Sequence, residues 1–342
     1  MSRKLLSYTA IGLILGSTAI SEVPKVAVDI APVHSLVSRV MDGVGSPKLV
    51  ISIGASPHGY SLRPSEAKSL QDADMVIWMG EDLAPWMEDS IEKLSKNAEV
   101  ITLLKESETK LLEYRESALF EEDDHGDHND HDKDHDDHDD HDKDHDDHDD
   151  HDKDHDDHDD HDDQGDHDGH AHGEHDPHAW LSIENAQTWL NLVAGKLSAA
   201  DPDNAGVYFA NAAAAREEIN DLVKEVNSIL EPVRGRNFVV FHDAYQYFET
   251  SFDFPAAGAI SLGDATDPSA ARIAEIQDRV KDEGINCVLS EPQYNANLVA
   301  TVLSGTDAKT GVIDPLGLGL EPGPKLYGDL IRNMAKALAG CL

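Results

Sequence analysis

Residues 121–176 cannot contribute to a hydrophobic core, and this constrains what the rest of the chain can build. The decapeptide His-Asp-Lys-Asp-His-Asp-Asp-His-Asp-Asp occurs three times unchanged, starting at His131, His141 and His151. The stretch holds sixteen of the twenty histidines, 30 of the 68 acidic residues, three lysines, and no aliphatic or aromatic side chain larger than Ala171. With nothing apolar to bury, it cannot offset the entropy of ordering. Its histidines fall three or four residues apart, as a helix face would need, but dense aspartate opposes that helix by poor propensity and like-charge repulsion. The segment reads as a long solvated loop, disordered without metal, inserted into a folded protein. A plain acidic spacer would account for the aspartates and leave the imidazoles unexplained. Imidazole beside carboxylate is metal-ligating chemistry. His125, His128, His131, His135, His138, His141, His145, His148, His151, His155, His158, His161, His167, His170, His172 and His175 are therefore expected to form several weak metal sites.

Outside this tract 286 of the 342 residues remain, enough for two modest domains. The tract carries −27 of the net charge of −41, and the remainder is still acidic at −14. That balance argues against nucleic acid or an anionic membrane surface as partner and suits a cation. The N-terminus begins Met1-Ser2-Arg3-Lys4, continues as a short apolar run to Ile20 and ends in small residues, which is the pattern of a secretory signal peptide over residues 1–21. The run is short and rich in Gly, Ser and Thr for a membrane anchor. With no cysteine near the cleavage region, the expectation is a periplasmic protein that is neither lipid-anchored nor inserted in the membrane. The two cysteines, Cys287 and Cys341, could pair in an oxidising compartment or remain as two thiols.

Along the chain, apolar strands alternate with helical patterns. Strands are expected at residues 25–30, 48–53, 74–79 and 99–103, with helices from Pro32, over 64–73 and over 84–95. After the tract come a helix over 183–200 and an unbroken helical pattern to about Leu230, read as a strut between two lobes. Strands at 237–241, 255–260, 286–290 and 310–313 follow, with helices over 268–284, near 295–303 and over 322–339. The alternation implies α/β structure: two lobes, each a mainly parallel four-stranded sheet flanked by helices, joined by one long rigid helix. The expected boundaries are 22–201 for the N-terminal lobe with the loop at 121–176, 202–231 for the linker helix and 232–342 for the C-terminal lobe.

Four histidines lie outside the tract. His58 sits in the turn-rich stretch after a strand, His242 directly follows Phe238-Val239-Val240-Phe241, and His178 sits in a proline turn before a helix. Asp314 closes Gly311-Val312-Ile313 in the same way. Ligands in open α/β sheets collect beyond the carboxyl ends of strands. Three imidazoles with a carboxylate or water make the tetrahedral set that Zn²⁺ prefers, whereas Mn²⁺ calls for more oxygen donors. Any one of these histidines alone is a surface or hydrogen-bonded residue; together, beside the tract, they read as a metal site. His34, among Val33, Leu36, Val37 and Val40, is assigned to packing or capping. Glu291, after another strand, either orients a ligating imidazole or caps a helix. Trp78, Trp86 and Trp180 read as core or cleft wall.

The segments Ser56-Pro57-His58-Gly59-Tyr60-Ser61-Leu62-Arg63-Pro64-Ser65, Asp176-Pro177-His178-Ala179-Trp180, Phe241-His242-Asp243-Ala244-Tyr245 and Ile313-Asp314-Pro315-Leu316-Gly317, in this order, resemble those of the zinc-binding proteins of bacterial ABC importers, the ZnuA-type family of cluster A-I. The resemblance covers nearly all of the chain after the signal region, including the place of the His/Asp-rich insert. It implies two α/β lobes joined by a rigid helix, a single Zn²⁺ held in the cleft by His58, His178 and His242, and delivery to a membrane permease with its ATPase by a monomeric, non-enzymatic protein. A histidine at the third position favours zinc, because manganese members of the wider family tend to carry glutamate there. Some zinc members have glutamate immediately before the first histidine; Pro57 stands there in this chain, leaving Asp314 or water for the fourth position. The family pattern also ties a strand cysteine to the C-terminal helix, which implies a Cys287–Cys341 disulfide. Two other readings compete. A zinc hydrolase would share the ligand set, but no His-Glu-x-x-His motif is present. A zinc buffer would make the tract the main function.

Overall fold

The computed structural model describes residues 22–115, 120, 175–261, 269–282, 284–294 and 296–342. The expected signal peptide, and every tract histidine except His175, lie outside these residues.

The first half builds β1 (Val26–Val28), α1 (Ala31–Val40), β2 (Lys48–Leu49), α2 (Pro64–Gln71), β3 (Met75–Trp78), α3 (Pro85–Leu94) and β4 (Glu99–Thr102). Beyond the tract come α4 (Ile183–Ala200) and α5 (Ala205–Leu230). The second half builds β5 (Phe238–His242), α6 (Gln246–Phe252), β6 (Gly258–Ser261), α7 (Ala270–Asp282), β7 (Cys287–Ser290), α8 (Ala296–Val302), β8 (Lys309–Val312) and α9 (Leu326–Cys341). The strands form two four-stranded sheets, ordered β2-β1-β3-β4 and β6-β5-β7-β8, and every pairing is parallel. This is the α/β architecture that the alternating pattern implied.

Burial on both faces explains why the central strands read as continuous apolar runs. Side chains alternate along a strand, so Met75 and Ile77 face one cluster while Val76 and Trp78 join Leu70 and Ile91 under α2 and α3. In the second sheet, Phe238 and Val240 face the same central cluster as Ile77, while Val239 and Val288 pack with Ile276 and Val280 of α7. The central cluster continues through Trp189 of α4, Tyr208 and Leu222 of α5 and Met334 of α9.

The 26 residues of α5 span about 39 Å at 1.5 Å per residue. Its buried stripe, Tyr208, Ala212, Ala215, Ile219, Leu222, Val226 and Leu230, recurs every three or four residues and packs against α1, α4 and α9. The long helix therefore touches helices that follow strands of both sheets.

Two differences from the sequence reading have physical causes. The strand expected over 48–53 stops at Leu49, although Val50 and Ile51 still donate to the Val28 and Asp29 carbonyls before the chain turns at Gly54, whose φ of +82° suits glycine. The seven-residue α6 was not anticipated; it is too short for a helical period to show, and it ends at Asp253 in the left-handed region with φ 48°. Cys287 on β7 and Cys341 at the end of α9 form a disulfide.

Candidate metal centre

His58 lies in the loop between β2 and α2, and buried polar side chains fix that loop. The Glu66 carboxylate accepts from the Ser52 hydroxyl at 3.0 Å, the Tyr60 hydroxyl at 2.8 Å and the Arg63 N–H at 2.7 Å. Desolvation pushes the Glu66 carboxyl up, but these donors outweigh it and hold the group below its ordinary range. The Trp86 indole N–H donates to the Pro57 carbonyl at 2.7 Å, so the residue beside His58 is pinned from α3.

His178 enters from the end of the tract. Asp176 Oδ1 accepts from the His178 backbone N–H at 2.9 Å and meets its Nδ1 at 2.7 Å, and both side chains are buried. This Asx-type turn leads into one 3-10 turn, Ala179–Leu181, that carries Trp180. His242 is the last residue of β5, and Glu291 directly follows the neighbouring β7. The two strand ends therefore bring the Glu291 carboxylate onto His242 Nδ1 in a short, buried contact.

Of the sequence alternatives for Glu291, the structure places the carboxylate on an imidazole. Carboxylates at both Nδ1 positions fix the tautomer, so Nε2 is the nitrogen that would coordinate on His178 and His242. The ligand atoms of His58, His178 and His242 lie within 4.8 Å of one another, and among the described residues these three form the group able to hold a metal ion. The His178 ring stands 5.5 Å from that of His58 and 5.3 Å from that of His242. A tetrahedral Zn²⁺ with bonds of about 2.0–2.1 Å would draw the nitrogens to roughly 3.4 Å apart, a small contraction.

The histidines share a cavity of about 10 Å³ with walls from Pro57, Trp180, Tyr294, Pro315 and Leu316. That volume is about that of one water, which suits a bare ion. Trp180 is fixed by donation from its indole N–H to the Pro315 carbonyl at 2.9 Å. Buried Tyr245 lies beside Glu291; burial, together with the Glu291 and Asp314 carboxylates, pushes its phenol well above the usual range.

Asp314 lies outside the three-histidine group. Its Oδ1 accepts from the Leu316 N–H at 3.0 Å and the Gln293 amide at 3.1 Å, and its Oδ2 accepts from the Leu318 N–H. His34 is buried against the Pro47 carbonyl at 3.2 Å and the Ser38 hydroxyl at 3.4 Å, in line with a packing role, and burial lowers its pKa. His175 pairs with Glu113 in an isolated antiparallel bridge and is not part of the group.

Apart from Glu291, the sequence does not mark the supporting residues. Asp176 falls at the end of the tract by composition, although an aspartate two residues before a candidate ligand histidine is itself a pairing signal. Arg115, just ahead of the tract, bonds Asp243 and Glu249, each at 2.7 Å, and no local pattern marks it. Burial lifts the Asp243 carboxyl to about 7, with Arg115 opposing and Asp176 and Glu249 adding to the rise.

Two parallel sheets, with a histidine beyond a strand of each and a third between them in sequence, around a cavity the size of an ion, define a metal-binding protein of the solute-binding class. The family model for ZnuA, described as zinc-uptake complex component A, periplasmic, matches residues 26–341. A high-affinity zinc uptake system protein ZnuA from Paracoccus denitrificans (strain Pd 1222) is 48% identical over 332 residues, covering 96% of this chain and 95% of that protein. Its counterpart from Brucella abortus (strain 2308) is 44% identical over 327 residues, covering 96% and 94%. Among solved structures, a crystal structure of ZnuA superposes with a TM-score of 0.68 at 18% identity, covering 93% of this chain and 98% of that one. A ZnuA deletion mutant with zinc bound gives 0.67 at 18%, covering 93% and 97%. The chain belongs to the ZnuA family. It is a zinc-uptake solute-binding protein of the periplasmic type, not an enzyme. Among the described residues no helix is long and apolar enough to cross a membrane.

Proposed function

We propose that the chain captures one Zn²⁺ between its two sheets with His58, His178 and His242, and delivers it to a membrane permease powered by an ATPase. The observation that carries this reading is the gathering of three imidazoles, their ligand atoms within 4.8 Å, around a cavity of about 10 Å³. Water takes the fourth position, since Asp314 lies outside the three-histidine group and its oxygens accept from Leu316, Leu318 and Gln293. Residues 1–21 direct export, residues 22–201 and 232–342 form the two lobes of a monomer, and residues 202–231 join them. The tract, with its sixteen histidines, binds further Zn²⁺ weakly and assists capture.

Calorimetric titration of the exported protein with Zn²⁺ tests the reading. One tight site, lost in His178→Ala and in His242→Ala, is expected. Retention of that site in either variant overturns the assignment.

A further inference from the structure

The loop from Asp314 to Leu318 runs from the end of β8 to the segment that carries Gly54. It leaves the second sheet just after β8, and Asp314 ties it into a knot by accepting from two of its own backbone N–H groups and from the Gln293 amide. Gly317, with φ +83°, lets the chain reverse inside that knot. A second anchor is the Trp180 indole bonded to the Pro315 carbonyl. Pro315 and Leu316 then wall the cavity of the three histidines, and Leu316 is buried.

Leu318, the last residue of the knot, points the other way, across to the His58 loop. A Cβ built on Gly54 would lie 2.4 Å from Leu318 Cδ1, so the leucine rests directly on the glycine backbone. Gly54 lies four positions before His58, in the segment fastened by Ser52 and Tyr60 to Glu66. Leu318 remains 49% exposed, which is unusual for a leucine that makes so close a contact and marks the rim rather than the core.

We propose that Leu318 on Gly54 is the latch that retains the ion and that Asp314 is its positioning residue, acting on zinc release through the loop and not through coordination. The inference rests on the three-histidine reading of the site. The contact joins the segment carrying His58 to the loop that walls His178 and His242, so the ion leaves through this rim only after the contact opens. Opening costs the burial of part of a leucine and nothing at the metal, so the latch sets how fast the ion crosses this rim.

The test is stopped-flow zinc release into a chelator, with X-ray absorption of the loaded protein as a second readout. Leu318→Ala changes an exposed side chain and leaves the core intact; it is expected to speed release about tenfold, equivalent to about 1.4 kcal/mol. Asp314→Asn is expected to do the same, with three nitrogen ligands and one light-atom ligand unchanged in the absorption spectrum. Release rates within about twofold of the parent protein in both variants overturn the latch. A changed coordination shell in Asp314→Asn, with Leu318→Ala silent, overturns it in favour of a ligand role. Tight binding that survives His242→Ala would instead mean that the three-histidine reading has failed, a result independent of the latch.

Discussion

At the scale of single residues, two carboxylates bear on the imidazoles of the candidate site. Glu291 holds the His242 ring by Nδ1, and Asp176 does the same for His178. Such partners set the orientation and basicity of a ligating imidazole, and removing one typically costs 10–100-fold in metal affinity. Glu291→Ala is therefore expected to weaken zinc binding by about 10–100-fold. Glu291→Gln, which can still accept from Nδ1–H, should lose less, and His242→Ala should lose most; competition titration against a chelator ranks all three. Asp29 plays a different part. It is fully buried at the end of β1 and accepts from the Ile30 and Met79 N–H groups, each at 2.7 Å, which ties β1 to β3 beside the point where the His58 loop departs. Burial outweighs these donors and lifts its carboxyl from 3.8 to about 7. A group raised in the folded state contributes stability that is complete below the unfolded pKa and lost as pH climbs through the folded one. The Asp29 contribution should therefore fall between about pH 4 and pH 7, by up to about 4 kcal/mol. Urea unfolding of the parent and Asp29→Asn proteins across this range checks it: the stability advantage of the parent should shrink as pH rises, and a constant difference would refute the assignment.

At the scale of elements, the disulfide is the clearest lever on stability. It fastens the last helix to β7, and Gly311 on the neighbouring β8 lies so close that an added Cβ would meet Cys341 Sγ at 3.2 Å. Arg236 secures the same end by donating to the main-chain oxygen of Leu342. Bridging a sequence separation of 54 stabilises by about 4 kcal/mol in the chain-entropy account. Replacing both cysteines with alanine should lower the urea midpoint of the second-sheet half, and hydrogen exchange should rise first in α9 and β8; unchanged exchange there would sink the idea. How much of this was legible in the sequence depended on range. Elements with strong local pattern, such as β3 in Met75-Val76-Ile77-Trp78 and the long α5, could be read because each carries its own period. The three histidines stood out because only four lie outside the tract and each follows or precedes a regular element. What could not be read was held by distant partners: Trp86 on Pro57, Arg115 on Asp243 and Glu249, and the Asp314 oxygens turned into their own loop. Helix α6 fell below the length at which periodicity speaks.

At the scale of the whole molecule, the chain joins the three-histidine group to an insert of very different composition, and the two should separate experimentally. The ends of the insert already meet within the fold: Glu113 bridges to His175, the Asp176 N–H donates to the Leu112 carbonyl at 2.9 Å, and the Tyr247 hydroxyl contacts the main chain of both Leu112 and Asp176. Since the stems are adjacent, deleting residues 123–174 leaves enough chain to close the gap without straining the fold. On the proposed reading the three histidines are held by strand ends and turns, so little ordering would accompany binding, whereas tract sites would have to organise chain around each ion and would be weaker for it. The tract's −27 also attracts divalent cations over a distance that salt shortens, the Debye length falling from about 30 Å at 0.01 M to about 8 Å at 0.15 M. The deletion should therefore keep one tight zinc site and lose the weak ones in calorimetry. In stopped-flow loading at limiting zinc it should slow uptake, with the deficit larger at low ionic strength than at high. Loss of the tight site would place tract residues among the primary ligands. Equal loading rates at every salt concentration would reduce the tract to a store or a spacer.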